Sequence, residues 1–263
     1  MRRFHLFEFH EQTWFPASLR DASTAFLRLM TEVTKAHVAF LPLIARTIRS
    51  TQSDHIVDLC SGAGGPIGSI SDELAAEGLS IGVTLTDLHP NREAFEFIRQ
   101  RTKVARDRID CRLEPVNAMN VPRSLSGLRT IFNAFHHFAP EQARAILADA
   151  CHSRTPIIAL ELSERSPMTI FSSPLIILFV LVAMPFLRPL QLSWLFWTYI
   201  VPVVPLFIAW DGLVSHLRSY TPEELEMMTR GLESESYSWE VRREALEGLP
   251  GHFTYVVGVP GPV

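Results

Sequence analysis

The chain has 263 residues, 47% of them hydrophobic and 20% charged, which suits one large domain or a domain with an insertion. The formal net charge is -4 and the pI is about 6.2, so the basic surface that nucleic-acid binding requires is missing and no such partner is expected. The three cysteines, Cys60, Cys111 and Cys151, show no metal-ligand spacing, and no metal is expected. This sparse, odd number suits a reducing, cytoplasmic compartment.

The first 50 residues predict a helical cap. Pro16 is expected at a helix start, apolar residues follow at helical spacing from Ala17 to Met30, and a second helix is expected from about Thr31 to Ile48. The N-terminus carries Glu8 and His10 where a signal peptide needs an apolar run, so no signal peptide is expected.

From residue 55 the pattern changes to short apolar runs that alternate with helical segments. This alternation predicts an α/β fold whose strands are parallel and joined by helices. Strands are expected at 56–59, 81–86, 109–116, 128–133 and 156–162, and helices at 67–77, 90–104 and 140–152.

An apolar block follows, in which Arg188 is the sole formal charge between Ser166 and Trp210. The stretches 166–187 and 189–210 are each long enough to cross a hydrocarbon layer as a helix. Prolines interrupt both stretches, which favours broken, re-entrant or interfacial helices over two straight spans. A buried hairpin core or a homodimer seam is the alternative reading of this block.

The chain after the block returns to globular patterns. Thr221, Pro222 and Glu224 form a helix-start signal, with Thr221 as the N-cap. Two closing strands are expected at 238–242 and 253–259. The predicted organisation is a cap at 1–50, a cofactor-binding domain at 51–165 and 213–263, and a hydrophobic helical insertion at 166–212.

Two polar turns end the first two predicted strands. The first is Asp58-Leu-Cys-Ser-Gly62-Ala-Gly64-Gly65, a glycine-rich turn, and the second carries Asp87. A backbone without side chains can lie against a nucleoside, and a carboxylate can accept hydrogen bonds from both ribose hydroxyls. The bland alternatives are a tight strand–helix turn and an N-cap for the helix after Pro90.

These residues, together with seven strand candidates and a closing antiparallel pair, resemble the class I S-adenosylmethionine-dependent methyltransferases. The resemblance covers about 55–165 and 236–260. It implies a Rossmann-like, seven-stranded, mostly parallel sheet with helices on both faces and the insertion between strands five and six. It also implies S-adenosyl-L-methionine as the cofactor. The family's first motif glycine is replaced here by Cys60.

The resemblance carries a cofactor site over residue by residue. The glycine-rich turn and Asp87 would hold the nucleoside and its ribose, and Asn117 stands where the family usually has an aspartate facing the adenine amine. A turn asparagine is the alternative for Asn117. The implied cofactor-binding residues are Asp58, Cys60, Ser61, Gly62, Gly64, Asp87, Leu88, Asn117, Ala118 and Asn133.

His136 and His137 follow the fourth strand, where the family's methyl group faces its acceptor. They are the candidates for a catalytic base. Since adjacent strand residues point apart, only one of them is expected to face the cofactor; a structural histidine before Pro140 is the alternative. Glu161, which ends strand five, is expected to pair with Arg165 rather than to bind substrate.

The resemblance and the apolar block together predict a membrane-associated methyltransferase that acts on a lipophilic small molecule or lipid, with its catalytic domain in the cytoplasm. The alternatives are a non-catalytic membrane scaffold or subunit that keeps the fold, and a nucleotide-dependent oxidoreductase. Against the last, the turn lacks an early glycine and has Pro66 where a dinucleotide fingerprint needs its third glycine.

Overall fold

The computed structural model describes residues 1–62, 65–103, 105–188, 190–232 and 236–261. The predicted cofactor residue Gly64 lies outside the described residues. The chain forms two compact units. The helical unit comprises Met1–Lys35 and Ser163–Tyr220, and the sheet unit comprises Ala36–Leu162 and Thr221–Val263.

The sheet unit is built on one mostly parallel sheet, which has seven strands among the described residues. The strand order is β3-β2-β1-β4-β5-β7-β6, and β7 runs antiparallel to both of its neighbours. The strands are β1 His55–Asp58, β2 Gly82–Leu85, β3 Ile109–Cys111, β4 Leu128–Phe132, β5 Ile157–Glu161, β6 Tyr237–Ala245 and β7 His252–Pro260. The predicted α/β fold class is confirmed.

Helices connect the parallel strands. The sheet unit contains α2 Leu41–Thr51, α3 Ile67–Ala76, α4 Arg92–Arg101, α5 Pro140–His152 and α10 Pro222–Thr229. The chain winds in opposite directions from β1 and from β4, and right-handed crossovers then place α3 and α4 on one face and α5 on the other. The central strands are buried and mainly apolar, as expected for a sheet covered on both faces, although β4 also buries Arg129 and Thr130.

The helical unit contains α1 Ala17–Thr34 and four further helices from the apolar block. These are α6 Pro167–Ser172, α7 Leu175–Ala183, α8 Leu192–Leu195 and α9 Val203–Arg218. A π-helical turn, Phe196–Ile200, follows α8. The apolar core of the helical unit joins α1, α7 and α9 around Phe26, Val180 and Phe207. The Trp194 indole donates a hydrogen bond to the Ser18 carbonyl at 2.9 Å.

A buried ionic cluster ties the first residues of the chain to α9. The Arg218 guanidinium bonds both carboxylate oxygens of Glu11, at 2.6 and 2.9 Å, and lies 3.4 Å from Glu8. The Asp211 carboxylate accepts the backbone N–H groups of Phe9 and His10. Residues 8–11 are therefore fixed to one helix by charge-assisted hydrogen bonds.

The units divide the chain at residues different from the predicted boundaries. Lys35 adopts a left-handed conformation (φ 49°) that ends α1, and α2 then contributes Leu41 and Ile44 to the core of the sheet unit. Only residues 1–35 of the predicted cap therefore belong to the helical unit. The segment from the apolar block is longer than 166–212, because α9 continues to Arg218.

Several predicted elements are shorter in the structure, and two of them show why. The third strand was expected over 109–116 but pairs only at 109–111, because β3 has β2 as its single partner and the register with Leu85 ends at Cys111. The helix expected from Pro90 begins at Arg92, because the Asn91 side chain accepts the Ala94 N–H and forms the N-cap. The N-cap expected at Thr221 is present, with Glu224 completing the capping box.

Prolines interrupt the apolar block as predicted: Pro174 precedes α7, Pro185 lies in a 3-10 turn after it, and Pro202 precedes α9. Among the described residues, no single helix combines the length and apolar character that a membrane span requires. Two consecutive helical segments, Leu192–Ile200 and Val203–Arg218, are together long and apolar enough for a span, but the chain bends by 81° between them.

Candidate active site at the ends of the parallel strands

The turn after β1 is held by backbone hydrogen bonds to both neighbouring strands. Leu59 N–H donates to the Thr130 carbonyl on β4, and Ser61 N–H donates to the Thr86 carbonyl after β2. Cys60 and Gly62 both adopt left-handed conformations, with φ of 57° and 52°. The backbone therefore reverses sharply at the carboxyl end of the sheet, where open α/β sheets bind ligands.

Asp58 is a buried carboxylate at the start of this turn. Its oxygens accept from the Thr130 hydroxyl at 2.8 Å and the Ser61 hydroxyl at 2.7 Å. Burial raises the pKa of the Asp58 carboxyl to about 7, although the hydrogen bonds from Ser61 and Thr130 act in the lowering direction. Asp58 is thus held inside the turn and fixes its shape.

Asp87 bonds to the glycine-rich turn directly. One carboxylate oxygen accepts the Gly62 N–H at 2.8 Å, and the other accepts the His89 N–H at 2.8 Å. The alternative role as a helix N-cap is excluded, because Asn91 caps α4. Each carboxylate oxygen has a second lone pair, so Asp87 can still accept hydrogen bonds from a ligand. The neighbouring Leu88 side chain is exposed.

Cys60 occupies the position where the resembling family has glycine. A left-handed conformation costs an L-residue roughly 1–2 kcal/mol, which explains the family's preference. Burial, together with the Asp87 and Asp58 carboxylates, raises the pKa of the Cys60 thiol. Cys60 therefore places a protonated, partly buried thiol in the turn.

Asn117 and Ala118 lie beside the end of β2, because Val116 N–H donates to the Asp87 carbonyl at 2.8 Å. The exposed Asn117 side chain accepts the Met119 N–H at 2.9 Å, which is the turn role left open by the sequence. Because this bond holds the side-chain oxygen, it also fixes the orientation of the Asn117 amide nitrogen. Ala118 is buried.

Asn133 ends β4 in a left-handed conformation (φ 50°). Its side-chain oxygen accepts the Leu162 N–H at 2.6 Å, and its own N–H donates to the Leu160 carbonyl. Asn133 therefore joins the ends of β4 and β5, which sets the position of the residues that follow each strand.

His136 and Glu161 form a buried pair. The Glu161 carboxylate accepts the His136 backbone N–H at 3.0 Å and lies 2.7 Å from His136 Nδ1. The predicted pairing of Glu161 with Arg165 stays a prediction. The expectation that the two histidines point apart was wrong: their ring centroids are 4.2 Å apart, because Phe135–His137 is a 3-10 turn and not a strand. His137 is half-buried.

Thr130 is a site residue that the sequence reasoning missed. It lies in the middle of β4, where its hydroxyl supports Asp58. The available signal was that the predicted strand Leu-Arg-Thr-Ile-Phe carries two polar residues, Arg129 and Thr130, among apolar ones. A buried hydroxyl in a central strand needs a partner, and the acid at the end of the neighbouring strand is in register with it.

The comparisons with known proteins bear on the fold. No protein-family model matches the sequence, and no curated protein is detectably similar to it. The chain is similar in structure to the plantazolicin methyltransferase BpumL in complex with SAH, with a TM-score of 0.62 and 12% identity over 97% of this chain and 94% of that one.

Two further solved structures have similar folds. Human N-acetylserotonin methyltransferase in complex with SAM gives a TM-score of 0.53 and 12% identity, over 97% of this chain and 63% of that one. The methyltransferase domain of bacterial CtHen1-C gives 0.51 and 14%, over 86% of this chain and 100% of that one. At these identities the similarity establishes the fold: this chain has the Rossmann-like sheet of methyltransferase structures.

Proposed function

We propose that the protein is an S-adenosylmethionine-dependent methyltransferase, associated with a membrane, that acts on a lipophilic small molecule or lipid. The observation that carries the proposal is the bond between Asp87 at the end of β2 and Gly62 in the turn after β1. It joins the acid that we propose as the ribose ligand to a glycine turn, at the carboxyl edge of a sheet like that of the similar methyltransferase structures.

The described residues fit this cofactor. A Cβ placed on Gly65 would meet no atom within 4 Å, and one on Gly62 would meet a single backbone oxygen at 3.8 Å, so open space adjoins the turn. The Asp87 carboxylate, at the same edge, keeps lone pairs for the two ribose hydroxyls. Asn117 and Leu88 are exposed beside it and would contact the base.

When bound, the cofactor would supply an electrophilic methyl group on a sulfonium. The residues after β4 would remove the proton from the acceptor. The Glu161 carboxylate would accept a hydrogen bond from His136 Nδ1 and so hold the His136 ring in place. The ring of His137, half-buried against His136, is the better placed of the two to meet an acceptor, so we assign His137 as the base and His136 as its positioning residue.

Membrane association and an apolar acceptor are proposed from the helical unit. Large exposed apolar side chains are concentrated between Met168 and Leu206, and a soluble monomer rarely exposes so extended an apolar surface. An enzyme held at a membrane meets acceptors dissolved in that membrane. The cysteine content favours a cytoplasmic sheet unit.

The strand order weighs against the oxidoreductase alternative. Dinucleotide-binding sheets have the order 3-2-1-4-5-6 with parallel strands, whereas here an antiparallel β7 lies between β5 and β6. The non-catalytic alternative is tested by experiment. Mass spectrometry of membranes with and without the protein should reveal a lipid or lipophilic molecule heavier by one methyl group.

The cofactor site is tested by calorimetric titration with S-adenosylmethionine. Asp87→Ala should abolish measurable binding, because it removes both the ribose ligand and the Gly62 contact. Asp110→Ala, an exposed acid on β3, is the matched control and should bind as the unchanged protein does. Equal affinity in Asp87→Ala would refute the site. His137→Gln should retain binding and lower turnover by about 100-fold or more if the acceptor is a hydroxyl.

A further inference from the structure

Helix α7 is apolar on all of its sides. Its sequence, Leu-Ile-Ile-Leu-Phe-Val-Leu-Val-Ala, contains no polar side chain. Val180 and Ala183 face the core of the helical unit, and Met184 and Leu187 continue that face beyond the helix. A helix that is hydrophobic all round is expected either inside a protein or in contact with lipid.

The opposite side of α7 is exposed. We call it the outer apolar face, and it consists of Leu175, Leu178, Phe179, Val182 and Phe186, which recur at helical spacing. Each of these side chains is at least half exposed, and Val182 reaches 70%. Exposed apolar residues from neighbouring segments extend the surface: Met168, Phe171, Leu192 and Ile200.

The charge at the end of this surface suits a lipid headgroup. Arg188, the sole formal charge from Ser166 to Trp210, is exposed just beyond the outer apolar face. Its guanidinium donates to the Pro185 and Leu187 carbonyls at 3.1 and 2.8 Å, which holds the cation at the end of the helix. A cation bordering an apolar face is the arrangement that attracts anionic lipids to an interfacial helix.

The π-helical turn of the same unit carries two amphipathic aromatic residues. Trp197 and Tyr199 are partly exposed on the π-helical turn, and the Tyr199 hydroxyl donates to the Leu181 carbonyl of α7 at 2.5 Å. Such side chains concentrate at the level of the lipid headgroups. They place the polar boundary of the surface close to α7.

From these observations we infer that the outer apolar face lies in one leaflet of a membrane as a monotopic anchor, with α7 parallel to the surface and Arg188 among the headgroups. The inference rests on the proposed membrane association and specifies its residues and its geometry. With 9 residues, α7 is too short to cross a hydrocarbon layer. The 81° bend between the later helices also fits an interfacial arrangement better than a straight span.

Vesicle flotation of the full chain tests the surface. Leu178→Glu should reduce binding to vesicles of phosphatidylcholine with phosphatidylglycerol by about tenfold or more. Burial of one leucine side chain in lipid accounts for about a tenfold gain in binding, and the glutamate charge further opposes insertion. Leu27→Glu is the matched control, since Leu27 on α1 is 59% exposed against 58% for Leu178. Ser23, Thr24 and Thr31 surround it at helical spacing, and this variant should bind normally.

The charge of the lipid distinguishes the role of Arg188. Arg188→Glu should weaken binding to the phosphatidylglycerol vesicles about fivefold or more and leave binding to pure phosphatidylcholine unchanged. Equal flotation of Leu178→Glu and the unchanged protein would overturn the proposal. The proposal would also be overturned if the unchanged protein does not float and sediments as a dimer, and if Leu178→Glu dissociates that dimer. The outer apolar face would then bind a second copy of the chain.

The geometry has its own test. In Arg188→Cys protein bound to sealed vesicles, an impermeant maleimide added outside should label position 188, as read by peptide mass spectrometry. Protection of that position would indicate a spanning arrangement and overturn the monotopic one. Calorimetry with S-adenosylmethionine on the same variants should show unchanged affinity, so that failure of the anchor and failure of the cofactor site are separate results.

Discussion

The two units both bury charged groups, but they differ in the surface that they expose. The sheet unit covers its apolar strands with helices and presents its turn residues and Asp87 at the ends of those strands. The helical unit buries a cluster of charges around Arg218 and exposes an apolar helix face. The contrast therefore lies in the exposed apolar surface of the helical unit, which supports the proposed membrane association.

The largest expected effect tests the buried charges of the helical unit. Arg218→Ala should lower the free energy of unfolding by about 3–5 kcal/mol, because it leaves the buried Glu8 and the Glu11 carboxylate without their cation. Arg242→Ala in the sheet unit is the control, since Arg242 forms an exposed pair with Glu240. Urea unfolding should show a loss within about 1 kcal/mol there. Similar losses in both variants would remove the contrast.

The next effect concerns the buried acid of the sheet unit. Because the pKa of Asp58 is raised to about 7 in the folded protein, the folded state binds more protons than the unfolded state between about pH 4 and 7. This contribution to stability is therefore lost as the pH rises through that window, by at most about 4 kcal/mol.

Asp58→Asn should flatten this part of the pH dependence of the urea midpoint. Asp107→Asn, an exposed acid in the same unit, should leave it unchanged. If the urea midpoint changes by the same amount between pH 4 and 7 in the unchanged protein and in Asp58→Asn, the assignment to Asp58 is wrong.

The smallest effect concerns the backbone of the turn. Cys60→Gly should raise the free energy of unfolding by about 0.5–1 kcal/mol, since relief of the left-handed conformation exceeds the entropy lost by glycine. Cys111→Gly, at a half-buried cysteine in β3, should instead lower it by about 1 kcal/mol. A loss in both variants would show that the Cys60 side chain contributes more through packing than its conformation costs.

Local signals predicted much of this molecule. The apolar runs gave the strands and their order along the chain, and Thr221 with Glu224 gave a helix start to the residue. The glycine-rich turn and Asp87 were both identified from the sequence, but the bond between Asp87 and Gly62 was not.

What could not be predicted depends on contacts between distant residues. The membership of α2 in the sheet unit follows from Leu41 and Ile44 meeting strands that lie far along the chain. The His136–Glu161 pair depends on the register of β4 and β5, which Asn133 secures. The close approach of the two histidine rings depends on a 3-10 turn that has no distinctive sequence.

The alkylation rate of Cys60 can be used to measure how often the turn opens. Alkylating reagents attack the thiolate, and the raised pKa of Cys60 keeps that form scarce while the turn is closed. Modification of Cys60 then reports how often the turn opens, because opening returns the thiol to water. A molecule that binds at the turn would slow this reaction. The rate at Cys60 relative to Cys151 therefore offers a way to screen nucleosides before any methyl acceptor has been found.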